Sequence, residues 1–265
     1  MNPYFIIGTL VLLTLLYWGA YTSAKEVRTI ELSGNILLNI PEIIFKLVLL
    51  GLCLGIAATL DPTVGRAENY LGWPPKAFAI EIAVGLAIGL VLQFTVNVLS
   101  TVAIRIWGSG IYSPVVIKSI IPKTTSEWLL TPFPMLIAVI LEEVLFRSLA
   151  VGGFSALFPG QWWWIWTLAL VSSLIFGLVH RPQGILGMIL TGVVGFAFCA
   201  IFIISGSLLM VIACHFVINM LQLIRAKEDL SWLERFKEKE RERRFQAVLA
   251  KDQEPEPVVT AEQEA

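Results

Sequence analysis

The sequence predicts an all-α polytopic membrane protein of about seven transmembrane helices with a charged cytoplasmic tail. Three observations carry that prediction. First, 57% of the 265 residues are apolar and 15% are charged, against about 25% charged in an ordinary soluble domain; the mean hydropathy is +0.78. Second, the apolar residues gather into runs of about 20, the length a helix needs to cross roughly 30 Å of hydrocarbon. Third, charge is sparse from Met1 to Ile224 and dominates from Arg225 onward, as in a membrane body with one solvated tail. Backbone polar groups facing lipid must be satisfied within their own segment, and no strand-like alternation competes, so the runs read as helices.

The first run covers 4–23. Thr22-Ser23-Ala24 loosely matches a signal-peptide cleavage site, but no basic residue precedes the run and the apolar stretch is long, so it reads as a retained span. Runs at 36–60, 77–103, 132–157, 162–181, 185–204 and 206–224 supply the other six. Residues 108–131 are broken by Gly108, Pro114 and Pro122 and carry Lys118 and Lys123. They read as a loop with a short interfacial helix, with room to conceal an eighth crossing. Trp162, Trp163 and Trp164 open the fifth run, where an aromatic belt would sit at the bilayer surface.

Orientation follows from the basic residues. Nine Lys or Arg residues lie between Arg225 and Lys251, which places the tail in the cytoplasm and, with an odd number of spans, the amino terminus outside. Counting back puts Lys25, Arg28, Arg105, Lys118, Lys123 and Arg181 inside, and leaves only Arg66 and Lys76 in outer loops. The chain therefore divides into a transmembrane domain over 1–224, with a chemistry-bearing core at about 132–224, a charged juxtamembrane helix over 225–250, and a disordered tail over 251–265. The net charge of -1 supplies no field for nucleic acid. The expected partners are the lipid bilayer and a membrane-associated protein or peptide. Cys53, Cys199 and Cys214 lie in apolar runs at no metal-ligand spacing and read as packing residues.

Ionisable groups inside spans cost about 2.5–3.5 kcal/mol each on insertion scales and are functional suspects by default. Three late runs hold an unusual set: Glu142-Glu143 with Arg147, then His180, then His215 with Asn219. Both histidines of the protein are among them. Glu143 and Arg147 stand at i and i+4 on one helix face and can pair. Glu142 lies about 100° around the helix with no partner nearby in sequence, which leaves it free to take a proton from water. An antiparallel turn near Pro159-Gly160 brings His180 to the depth of Glu142. His215 and Asn219 share a face, although His215, counted from its own turn, falls nearer mid-membrane unless the last span starts deeper. A carboxylate with a histidine can hold and deprotonate water, while a second histidine with an amide stabilises an oxyanion; these are the parts that amide hydrolysis needs. No Gly-x-Ser-x-Gly elbow supports Ser148, Ser172 or Ser173 as a nucleophile.

Glu142-Glu143-x-x-x-Arg147, Phe176-x-x-x-His180 and His215-x-x-x-Asn219, in that order on successive apolar segments, resemble the CPBP family (CAAX protease and bacteriocin-processing, or Abi), whose eukaryotic members include the Ras-converting CAAX endopeptidase. The resemblance covers residues 141–219. It implies a helical intramembrane glutamic endopeptidase acting on membrane-associated substrates, with no cofactor; family members differ widely in substrate, so CAAX-like proteins are one candidate class among these. By motif position, Glu142 and His180 would activate water, and His215 and Asn219 would form the oxyanion site. Glu143 and Arg147 would support them, and Phe176 would be a packing or substrate-contact residue. Three other readings stay open: a zinc protease using His180, His215 and Glu142, a proton-relay transporter, and a non-catalytic membrane scaffold or immunity protein.

Overall fold

The computed structural model describes residues 2–26, 35–60 and 70–252, and among these it is helical without a strand. Helix α1, Pro3–Glu26, is followed by a 3₁₀ turn at Ile36–Leu38 and by α2, Ile40–Ala57, with a proline at its start. Proline is tolerated there because the first N–H groups of a helix have no internal partner. Helix α3 runs over Phe78–Trp107, four residues beyond the apolar run that announced it. The broken stretch after it forms a 3₁₀ turn at Ser109–Ile111 and two short helices, α4 (Val115–Ile120) and α5 (Thr125–Leu130). Each of the two has six residues, about 9 Å of rise, so neither crosses a bilayer. Thr124 caps α5 by accepting the Glu127 N–H at 3.2 Å.

Helix α6, Pro132–Glu143, does not end where its α geometry ends. It continues as a ten-residue π-helix, Val144–Gly153, every residue of which is buried. Helix α7 (Trp162–Val179), a 3₁₀ turn at Arg181–Gln183, α8 (Gly184–Ser205) and α9 (Leu208–Asp252) complete the order. Among the described residues, six helical stretches are long and apolar enough to cross a membrane: Ile40–Ala57, Phe78–Trp107, Thr125–Gly153, Trp162–Val179, Arg181–Ser205 and Leu208–Leu249. The chain is thus an integral, multi-pass membrane protein. The expected first span has a shorter apolar stretch, Pro3–Gly19. It packs inward all the same: Phe5 is fully buried, its ring 5.8 Å from that of Phe154.

The chain forms two compact units, residues 1–226 and 227–265. In the first, a core of Val139, Phe146, Leu149, Phe176, Phe198, Phe202 and Val211 joins α6, the π-helix, α7, α8 and α9. Helices α7 and α8 approach closely because Gly177 faces Gly192. A Cβ on Gly177 would stand 2.7 Å from the Met188 carbonyl oxygen, so a side chain would push the helices apart. Ser172 Oγ donates to the Phe146 carbonyl at 3.0 Å, tying α7 to the π-helix. Helix α9 continues past the end of its apolar run at Ile224 without a break. The described part of the second unit, 227–252, is helical, with Trp232 stacked on Phe236 at 5.4 Å. The stretch from 253, expected to be disordered, and Arg28 and Arg66 lie outside the described residues.

Candidate active site

The two neighbouring glutamates of α6 have different surroundings. Glu143 is fully buried, and so is Arg147 one turn on; Arg147 Nη1 donates to Glu143 Oε1 at 3.0 Å. The second guanidinium nitrogen, Nη2, donates to the Gly195 carbonyl of α8 at 3.2 Å. Two aromatic rings lie against the guanidinium, Phe176 with its centroid 4.4 Å and Phe198 5.1 Å from the central carbon. A desolvated cation–π contact of this kind is worth about 2 kcal/mol. Charge pairing, a carbonyl and two rings together offset the cost of burying the cation. Two atoms of the pair, Glu143 Oε2 and Arg147 Nε, are buried without a hydrogen-bond partner.

Glu142 faces elsewhere. Its side chain keeps 30% of its surface exposed, and among the described residues nothing hydrogen-bonds its carboxylate. His215 stands between the two acids. Its Nδ1 is 2.6 Å from Glu143 Oε1, and its Nε2 is 3.8 Å from Glu142 Oε2. The second distance is too long for a hydrogen bond and short enough for one bridging water. His180 caps α7 at the step into the next 3₁₀ turn. Its Nδ1 is 2.7 Å from the Phe176 carbonyl oxygen, and its ring lies 4.7 Å from the Phe176 ring. Asn219, one turn beyond His215, sends Nδ2 toward Met135 Sδ at 3.6 Å.

Residues from α6, α7 and α9 thus meet in one cluster, with Phe176 at its centre beside Arg147, His180 and His215. His215 stands at the level of both glutamates, so of the two placements that residue counting left for it, the deeper start of the last span holds. Because His215 meets Glu142 while standing far closer to its own turn, the Gly206 turn is drawn deeper into the bundle, which agrees with the burial of Ser207 and Leu208. The contact between His215 and Glu143, 72 positions apart, joins two residues that sequence spacing had left unconnected. Gly195 and Phe198 also belong to the surroundings of Arg147. Together with Cys199 and Phe202 they lie at i, i+3, i+4 and i+7 on α8, and all four are buried; that helical spacing is the signal that marks them in the sequence.

The cluster offers one open carboxylate and two imidazoles beside a sealed ion pair, groups able to hold a water and take its proton, while the Asn219 amide, one turn from His215, faces Met135 in this structure. Among the described residues no three His, Cys, Asp or Glu side chains are grouped as ligands of a metal ion. Residues 124–221 match the family described as Type II CAAX prenyl endopeptidase Rce1-like, a stretch that contains every residue of the cluster. No curated protein and no solved structure matches the chain.

Proposed function

Through residues 124–221 the chain belongs to the CAAX protease (CPBP) family, and on that premise we propose that it is a glutamic intramembrane endopeptidase. Its substrates would be membrane-associated proteins or peptides with a CAAX-like carboxyl terminus. Glu142 takes the proton of a water held with His180, the water attacks the peptide carbonyl, and His215 and Asn219 donate to the oxyanion. Glu143 and Arg147 hold the frame, and Phe176 packs the three motifs against one another. The tail lies in the cytoplasm, α1 counts as a seventh crossing with the amino terminus outside, and the cluster opens toward the cytoplasmic side.

One observation carries the reading. Of two adjacent carboxylates in the matched segment, Glu143 is sealed against Arg147 while Glu142 stays half-open beside a histidine. A carboxylate kept inside a span without a counter-ion needs a task that repays its desolvation. The zinc alternative would use the same His180, His215 and Glu142.

The test is cleavage in proteoliposomes of peptides ending in a CAAX-like sequence, prenylated and unprenylated, with and without a chelator. Wild type is expected to cut the prenylated peptide with the chelator present. Glu142→Ala and His180→Ala are expected to lose turnover while keeping the wild-type melting temperature. Undiminished cleavage by either variant rejects the mechanism, and loss of cleavage on metal removal, restored by zinc, replaces it with the metalloprotease.

A further inference from the structure

We propose that Glu143 is a positioning residue of the reaction, holding His215 so that its Nε2 delivers a proton to the reacting peptide bond. The proposal rests on the proteolytic reading above and gives Glu143 a second task beside its pairing with Arg147. Glu143 Oε1 receives Arg147 Nη1 at 3.0 Å and lies 2.6 Å from His215 Nδ1. A carboxylate oxygen that already faces a guanidinium is an acceptor, so the hydrogen in the second contact belongs to the imidazole. With Nδ1 protonated, Nε2 is the position that gains or loses a proton, and it is turned toward Glu142 Oε2 at 3.8 Å.

The other histidine makes the point by contrast. His180 Nδ1 faces the Phe176 carbonyl at 2.7 Å, and a carbonyl also only accepts, so the two rings hold their first proton on the same nitrogen. Their backing differs in charge. A carbonyl fixes the orientation of a ring, whereas a buried carboxylate also stabilises the imidazolium that forms when the ring takes a second proton, the role known from the Ser-His-Asp triad. His215 is therefore the ring built to carry a proton, and His180 the ring whose Nε2 lone pair holds the water. The charged groups facing His215 are Glu142 and Glu143, with Arg147 acting across Glu143. The Phe198 ring at 5.0 Å and the Phe176 ring at 6.1 Å occupy its other sides.

The proton count closes. The water oxygen bonds to the scissile carbonyl carbon, the C=O π pair moves onto oxygen, and the water's proton goes to Glu142. Glu142 hands that proton to His215 Nε2, making the imidazolium that Glu143 backs and whose Nε2–H faces the oxyanion. The C–N bond then breaks as the carbonyl re-forms and nitrogen takes the Nε2 proton, leaving a carboxylic acid, an amine, the Glu142 carboxylate and a neutral His215 as they began. Water is the only co-reactant.

The experiment uses full-length protein labelled with ¹⁵N-histidine, whose two imidazoles are told apart with His180→Gln, alongside steady-state kinetics. In the wild type the His215 ring is expected to carry its proton on Nδ1, with a ¹⁵N shift that moves in Glu143→Gln and returns in Glu143→Asp. In the same variants kcat is expected to fall about 10²–10⁴-fold in Glu143→Gln with KM within about twofold. Glu143→Asp is expected to recover at least about tenfold, and the pH–rate profile is expected to move in Glu143→Gln but not in the aspartate. A wild-type His215 with its proton on Nε2 alone overturns the proposal, as does Glu143→Gln with wild-type kcat and an unmoved profile. Should the glutamine variant not fold, the wild-type spectrum and the aspartate kinetics decide. The spectra need no substrate, so a wild type with the Nδ1 proton and no turnover on any peptide sinks the proteolytic reading separately from the Glu143–His215 link.

Discussion

Two buried acidic sites of the same membrane domain are assembled on opposite plans. At the start of α3, Glu81 is buried and both of its oxygens carry donors: Oε1 accepts the N–H groups of Lys76 at 2.7 Å and Ala77 at 3.0 Å, and Oε2 accepts the Ser207 hydroxyl at 2.5 Å. Ser207 Oγ in turn accepts the Met210 N–H at 3.0 Å, so one carboxylate and one hydroxyl bind the open N-termini of α3 and α9 together. At the end of α6, by contrast, Glu143 has one oxygen carrying two donors and one carrying none, while Glu142 has none and is part-exposed. Helix termini need acceptors, and a saturated carboxylate there is a fastener. A carboxylate left unsaturated beside an imidazole keeps its lone pairs free, which is what the proposed base requires. Burial alone does not separate the two sites; the share of lone pairs that carry a donor does.

The comparison can be broken at several points. The largest loss of stability is expected for Arg147→Met, which leaves Glu143 buried without its cation and should cost about 3–5 kcal/mol, read as a fall in the denaturation midpoint in detergent. Asn219→Ala should leave that midpoint in place and cut turnover about 10²–10³-fold, as for the loss of one oxyanion donor; a loss confined to KM would remove Asn219 from that role. Ser207→Ala removes a cap and one partner of Glu81 and should cost about 1–2 kcal/mol with turnover per folded molecule unchanged. The smallest effect is expected for Phe198→Leu, which keeps apolar volume but loses one face of the Arg147 cage. It should cost about 1 kcal/mol, measured by the same denaturation.

Much of the site was legible in the sequence because its residues are expensive where they stand. Glu142, Glu143, Arg147, His180, His215 and Asn219 declare themselves by lying in apolar runs, and helical spacing alone pairs Glu143 with Arg147. What sequence spacing does not carry is depth and long-range neighbourhood. The π-helix at Val144–Gly153 is a choice of hydrogen-bond register that leaves no mark on composition. The turn before α9 is drawn inward by contacts with Gly72 and Glu81, so counting residues along separate helices left the level of His215 open. Nothing near Glu81 in sequence announces its partner Ser207, which is 126 residues away. The long apolar runs, in contrast, became helices with ends shifted by a few residues, because hydrocarbon leaves the backbone no other way to satisfy its own polar groups.

The account stands or falls on the two carboxylates treated alike. Glu142→Gln and Glu81→Gln, prepared side by side in proteoliposomes, should separate cleanly. The first is expected to lose more than about a thousandfold in turnover at an unchanged melting temperature. The second is expected to lose about 1–3 kcal/mol of stability and keep its turnover per folded molecule. Wild-type cleavage by Glu142→Gln would contradict the assignment of the open carboxylate as the base.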